Sequence, residues 1–378
     1  MKFFHLSDLH LGKWVNGFSM LEEQRYWIDQ LLALVQQEHP DAIIMAGDIY
    51  DRRIPPAEAV TLLDYFLTAL AELDIPVLAI SGNHDSPERL DFGKDLMKQR
   101  GIYLAGKYDG TIPRVTLQDE YGPVDFFLLP YIRPAAVRPF FEEEPGSYEG
   151  AVRLALSRAQ RKENIRSVLV AHQFVTFRGD EPERCDSEEL SLGGMDQVDA
   201  SVFEGFSYVA LGHIHGPQRI GGAHIRYGGS PLCYSFSECR RQKYVTQVEL
   251  DAAGNVNITQ HTILPLHPMR EIRGPLEQLL SDEIAAEGKE DYLHITLTDE
   301  QPIMDAIGKV RAVYPNVMKL DFAAHLERDV EEQAQQVQEE MTPEQLLRQL
   351  YQMQHGQDVP EVQMKLFLQV LAEKEGQA

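Results

Sequence analysis

Long apolar runs are missing from this 378-residue chain. No stretch approaches the roughly 18 apolar residues of a membrane span, so no membrane contact is expected. The N-terminus, MKFFHLSDLHLG, carries one Lys and two Phe before polar residues appear. That is too short for the apolar region of a signal peptide, and the chain reads as a cytosolic protein. Cysteine is scarce: Cys185, Cys233 and Cys239 form no C-x-x-C pair. An odd, sparse count suits a reducing compartment. Basic charge is also short, 35 Lys/Arg against 59 Asp/Glu for a net of −24. The chain as a whole is therefore no nonspecific polyanion binder, although a local cationic site stays open. There is no internal repeat, no base-reading motif and no G-x-x-x-x-G-K-[ST] loop, so any ATP motor would sit in another chain. What is present is ordinary: 43% hydrophobic and 9% aromatic residues, enough to fill a core.

The composition shifts near Leu266. Residues 266–378 carry 10 Lys/Arg and 22 Asp/Glu, a net of −12. Before this point, short Val/Ile/Leu-rich runs read as buried strands. They are Phe3–Leu6, Ala42–Met45, Val77–Ile80, Phe126–Leu129, Ser167–Val170 and Tyr208–Leu211. Amphipathic helices are predicted over about Met20–Gln37 and Pro56–Glu72. The strand–helix alternation implies an α/β layered domain with parallel strands over residues 1–265. A stretch without helices, Ile225–Thr262, is expected to complete a second sheet. Residues 266–325 form a small α+β accessory domain. A polar linker and two tail helices, Thr342–Tyr351 and Val362–Ala372, occupy 326–378.

Five of the apolar runs end in residues that bind metals. They lead into Asp8 and His10, into Gly47-Asp48 with Asp51, into Gly82-Asn83-His84-Asp85, into His172, and into His213 and His215. Ligands in α/β sheets collect beyond the carboxyl ends of strands, so five such ends can converge. His5 lies inside a strand and reads as a packed core histidine. Two divalent ions sharing a carboxylate would use Asp8 and His10 together, Asp48 as the bridge, the amide oxygen of Asn83, and the imidazoles of His172, His213 and His215. Two M²⁺ with only two anionic ligands leave a charge of about +2, suited to a phosphoryl group. Mixed N/O ligands without thiolate favour Mn, Fe, Zn or Ni over Ca or Mg.

The set D-L-H, G-D-I-Y-D, G-N-H-D, His172 and G-H-I-H resembles the five signatures of calcineurin-like metallophosphoesterases. The longer strings FFHLSDLHLGK, AGDIYDRRIPP, ISGNHDSPERL, ALGHIHGPQ and YGGSPLCYSFSE resemble the double-strand-break repair nuclease family. The likeness is good over the first 265 residues and holds only in type for the tail. It implies a four-layer αββα sandwich with an accessory domain and a C-terminal helical pair. It implies one Mn²⁺ on Asp8, His10, Asp48 and His215, and a second on Asp48, Asn83, His172 and His213. His84 would contact the scissile phosphate and protonate the leaving 3′-oxygen, with Asp85 orienting it. The resemblance further implies a 3′–5′ double-strand exonuclease and single-strand or hairpin endonuclease, in DNA repair, recombination and replication. Its partners would be a second copy of the chain and an SbcC-type ATPase, whose coiled-coil base takes the tail helices in a heterotetramer.

Phosphate contacts on DNA must be local. The candidates near the ligand loops are Lys13, Arg52, Arg53, Arg89 and Arg178, while Arg240, Arg241 and Lys243 read as a strand edge. Two rival functions exist. The same signatures serve phosphatases and nucleotide phosphodiesterases acting on small substrates, and a partner-docking scaffold would need no chemistry. The D-S-P-E-R-L continuation and the tail favour the nuclease over the first rival. The filled ligand positions argue against the second.

Overall fold

The computed structural model describes residues 1–162, 164–188, 196–281, 284, 288–301, 303–323, 347–348, 351, 358–360 and 363–367. Strand β1 (Lys2–Leu6) leads through helix α1 (Leu21–Glu38) to β2 (Ala42–Ala46). Helix α2 (Ala57–Glu72) then leads to β3 (Val77–Ile80) and on to β4 (Ile102–Ala105). The chain crosses into a second sheet through the hairpin β5 (Arg114–Asp119) and β6 (Gly122–Leu129). Helix α3 (Tyr148–Ser157), capped by the Ser147 hydroxyl, precedes β7 (Arg166–His172) and β8 (Tyr208–Gly212). Short strands β9 (Gln218–Arg219) and β10 (Ile225–Tyr227) follow. The chain then returns through β11 (Val245–Leu250) and β12 (Val256–His261).

The first sheet has the order β12-β11-β1-β2-β3-β4 and the second β9-β10-β8-β7-β6-β5. Strands β1 to β4 run parallel to one another, as do β6, β7 and β8. Inner-face residues such as Phe3, Ile44, Leu78, Phe126, Val170 and Tyr208 pack into one shared core. The outer face of the first sheet is covered by the apolar stripe of α1 (Trp27, Ile28, Leu31, Val35) and by α2. Ala151, Val152 and Ala155 of α3 cover the second. This is the expected four-layer αββα sandwich, with strands buried on both faces.

The structure corrects one expectation. Only Ile225–Tyr227 of this stretch joins the second sheet, and a 3₁₀ turn spans Phe236–Glu238; β11 pairs antiparallel with β1 and β12 with β11, on the edge of the first sheet. Val248 and Leu250 then line the core between the sheets.

Beyond the sandwich, β13 (Met269–Gly274), β14 (Tyr292–Leu297), α4 (Ala306–Arg311) and β15 (Val317–Phe322) form a parallel three-stranded sheet with a helix. It has its own core of Leu293, Ile295, Leu297, Val310 and Tyr314. The linker over 326–340 lies outside the described residues. So do nearly all residues of the two tail helices.

Candidate metal centre

The neighbouring parallel strands deliver their carboxyl ends to one place. Backbone bonds zip the first two ligand loops together: Asp8 N–H donates to Gly47 O at 3.0 Å and His10 N–H to Asp48 O at 2.9 Å. Four residues here hold positive φ: Asp8 at 52°, His10 at 45°, Asp48 at 48° and His213 at 104°. Each such conformation costs about 1–3 kcal/mol and persists only where the surroundings enforce it. Two glycines permit the close approach. A Cβ on Gly82 would stand 2.0 Å from Asp48 Oδ1, and one on Gly212 would stand 1.9 Å from Ala46 O.

Seven of the sequence-predicted side chains meet in this pocket. His10 Nε2 faces His215 Nε2 at 3.1 Å. Asp48 Oδ2 lies 3.2 Å from His172 Nε2 and 3.8 Å from His10 Nε2, between the two ligand groups. Its other oxygen, Oδ1, accepts His84 N–H at 2.9 Å. Asn83 Oδ1 lies 3.0 Å from His172 Nε2 and 3.1 Å from His213 Nδ1. Asp8 accepts His213 N–H at 3.0 Å and shares ligand distance with His10 and His215. Asp8, His10, Asp48, His172 and His215 are all buried.

This donor set fits cations. His172 Nδ1–H donates to Ala46 O at 2.8 Å, so in the neutral ring Nε2 is a bare lone pair pointed at Asn83 Oδ1 and Asp48 Oδ2. Burial works against a charged His172, yet Asp48 outweighs it and pushes the imidazole up to about 9. Burial holds the neighbouring His10 and His213 below the usual imidazole range, so the negative charge of the cluster is concentrated at His172. Burial likewise opposes the charge on Asp48, and His172 with His10 and His84 holds that carboxyl well below its ordinary range. Of the neighbouring carboxylates, Asp51 and Glu238 are each matched by a lysine, while Glu188 accepts the His215 N–H at 2.7 Å. Asp51 pairs with Lys13 at 2.8 Å, and Glu238 with Lys243 at 2.5 Å.

His84 stands beside this cluster, its ring 4.9 Å from that of His10. Its Nδ1 lies 3.1 Å from Asp51 O. The Asp85 carboxylate accepts backbone N–H groups from Gly82 (2.9 Å), Ile49 (3.1 Å) and Tyr50 (2.8 Å). Burial and then Asp48 push it up to about 6. These contacts make Asp85 a clamp between the Asp48 and Asn83 loops, which acts on the backbone that carries His84. Asp85 thus positions the loop on which His84 stands, while the Asp51 carbonyl is at the imidazole. Two of these N–H groups come from the Asp48 loop, 35 and 36 residues away, and a buried carboxylate satisfies such buried donors.

The predicted DNA contacts separate. Lys13 and Arg52 both turn to Asp51, Lys13 with a side chain only 14% exposed. Arg53, Arg89 and Arg178 are exposed. Lys243 departs from the strand-edge reading, being buried and paired with Glu238. His5 is packed as expected, between Tyr208 Oη at 2.9 Å and Leu211 O at 3.1 Å.

Several supporting residues were not singled out as such in the sequence. Gln24, on α1, donates to His10 O at 2.8 Å and to Tyr234 Oη at 3.0 Å. Ser187, Glu188, Glu238 and Lys243 surround His215. Asp51 stood within G-D-x-x-D, Tyr234 and Glu238 within the string YGGSPLCYSFSE, and Lys243 within a basic cluster, but none of these was marked as a support of the ligands.

A family model for calcineurin-like phosphoesterases matches residues 1–217. A second, SbcD_C, described as the type 5 capsule protein repressor C-terminal domain, matches residues 265–355. SbcD of the SbcCD nuclease from Staphylococcus epidermidis is 34% identical over 328 residues, 85% of each chain. Among solved structures, phosphopantetheinyl hydrolase from Mycobacterium tuberculosis aligns with 66% of this chain and 96% of its own. The two are 16% identical with a TM-score of 0.38. A dimetal phosphatase from Danio rerio aligns with 70% of this chain and 97% of its own, at 12% identity and a TM-score of 0.41. On the family model that spans most of the sandwich and the relative that spans most of the chain, this protein belongs to the calcineurin-like phosphoesterases and, within them, to the SbcD family of SbcCD nucleases.

Proposed function

We propose that the chain is a Mn²⁺-dependent DNA phosphodiesterase, with 3′–5′ double-strand exonuclease and single-strand or hairpin endonuclease activity. It would work beside an SbcC-type ATPase in the bacterial cytosol. The observation that carries this reading is the meeting of Asp8, His10, Asp48, Asn83, His172, His213 and His215 at five strand ends, with His84 at the rim. Asp8, His10, Asp48 and His215 would hold one ion, and Asp48, Asn83, His172 and His213 the other. Two divalent ions supply Lewis-acid charge and an activated water at neutral pH. The protein's own share is positional. Asp48 Oδ2 faces both ligand groups while Oδ1 ties the His84 backbone to them. With Nδ1–H donating to Asp51 O, the His84 ring would carry a transferable proton on Nε2 in its imidazolium form, give it to the departing 3′-oxygen and be left as the neutral imidazole. Arg53, Arg89 and Arg178 are exposed cations for phosphates flanking the cleaved bond.

Nuclease assays on end-labelled duplex and hairpin DNA, with Mn²⁺, Mg²⁺ or EDTA, test the reading. Manganese-dependent degradation is expected. Turnover of bis-p-nitrophenyl phosphate or cyclic AMP with intact DNA would overturn the substrate assignment.

A second copy of the chain would dock on the face of α2 and the segment 87–98. Val60, Phe92 and Leu96 are 45%, 81% and 72% exposed there, and Val60 and Phe92 line one shallow cavity of about 170 Å³. Apolar groups so exposed mark an association surface. The double variant Phe92→Asp, Leu96→Asp is expected to run as a monomer in light scattering, where the wild type runs as a dimer.

A further inference from the structure

We infer that Ser187 and Glu238 are positioning residues for His215, forming a hydrogen-bonded relay that decides which imidazole nitrogen faces the metal centre. The inference rests on the proposed function, in which His215 ligates the first ion. It names the residues that make it a competent ligand.

The proton positions follow from donor and acceptor types. Glu238 is fully buried, and its Oε2 pairs with Lys243 Nζ at 2.5 Å. A carboxylate in that pair can only accept. Its Oε1 therefore accepts the Ser187 hydroxyl proton at 2.6 Å, along with Tyr234 N–H at 3.2 Å and the Ser235 hydroxyl at 3.0 Å. Ser187 has one hydroxyl proton, and it is spent on Glu238. At 2.7 Å from His215 Nδ1 the hydroxyl oxygen must then accept, so Nδ1 carries the hydrogen. That leaves His215 Nε2 as the lone pair, and Nε2 is the atom facing His10 Nε2 at 3.1 Å. A neutral imidazole with its other nitrogen donating into a carboxylate-backed acceptor is a stronger and better oriented ligand.

The backbone of His215 is held by the same group. Its N–H donates to Glu188 Oε1 at 2.7 Å, and its carbonyl accepts Lys243 Nζ at 2.9 Å and Ser230 N–H at 3.1 Å. Every polar atom of His215 except Nε2 thus has a partner from this cluster. The cluster joins the segment 183–188 to the segment 230–243, and neither segment supplies a ligand in the two-ion assignment. Lys243 keeps the buried carboxylate from adding net negative charge beside the centre.

The test is Mn²⁺ titration by calorimetry on the purified full chain, comparing wild type with Ser187→Ala, Ser187→Thr and His215→Ala. Wild type is expected to bind two ions. Ser187→Ala should weaken one of them by about 10–100-fold, the usual cost of losing an outer hydrogen-bond partner of a ligating histidine. Ser187→Thr, which restores the hydroxyl, should recover most of that loss. Ser187→Ala binding both ions as tightly as wild type would overturn the inference. So would Ser187→Thr binding as weakly as Ser187→Ala, since packing and not the hydroxyl would then matter. His215→Ala separates the two claims. If it keeps both ions at wild-type affinity, the ligand assignment itself fails and takes the relay with it.

Discussion

Replacing His84 with Ala is expected to lower kcat on duplex DNA by about 10²–10⁴-fold while both Mn²⁺ ions stay bound. The geometry separates the side chain from the backbone at this position. The His84 N–H, which the variant keeps, is the group that donates to Asp48 Oδ1 at 2.9 Å. Asp48 therefore remains held in place. The imidazole, which the variant loses, stands with Nδ1 at the Asp51 carbonyl and its ring edge-on to His10. The rival role is that of a metal ligand, because His84 also lies within ligand distance of His10 and Asp48. Elemental analysis decides between them. A variant that has lost an ion along with its activity makes His84 a ligand and removes the proton-donor assignment.

Asp48→Ala is expected to lose both ions and to fall to background activity. The loss of metal affinity should far exceed the about 10–100-fold that an outer-layer change costs. Asp48 presents one oxygen to both ligand groups, 3.2 Å from His172 Nε2 and 3.8 Å from His10 Nε2. The φ of 48° at this residue disfavours alanine, whereas Asn tolerates it well. Asp48→Asn is therefore the control that keeps the backbone and removes only the charge. Melting curves with and without Mn²⁺ read the result. Ions at 100 times their dissociation constant stabilise a folded chain by about 2.7 kcal/mol, and neither variant should show a full shift of this kind. A variant that still binds one ion at wild-type affinity would restrict Asp48 to a single site and remove the bridge.

The ligand residues were legible because the chemistry is written at strand ends. Asp48, Asn83, His172 and His213 each follow a short run of Val, Ile, Leu or Ala, so finding the strand found the ligand. Gly82 and Gly212 were visible only as motif letters. The physical need for them lies in a carboxylate and a carbonyl oxygen that come within about van der Waals contact from other strands. Asp85 shows the opposite case. Its place next to His84 was visible in the sequence, but its grip on the backbone N–H groups of Ile49 and Tyr50, 36 and 35 residues away, was not.

The order of apolar runs and ligand types was enough by itself to determine an α/β sandwich and to single out the seven metal-binding side chains that the fold brings together. These depend on strand periodicity, on the rule that ligands gather at strand ends, and on the valence of the side chains. Tertiary structure alone decided that β11 and β12 return to the first sheet, since either sheet had an edge to accept them. It also decided that Lys243 is buried against Glu238 instead of lying free on a strand, and that Ser187 stands behind His215, 28 residues away. Burial and pairing of polar groups depend on what other segments bring within hydrogen-bond reach, and no local pattern along the chain records that.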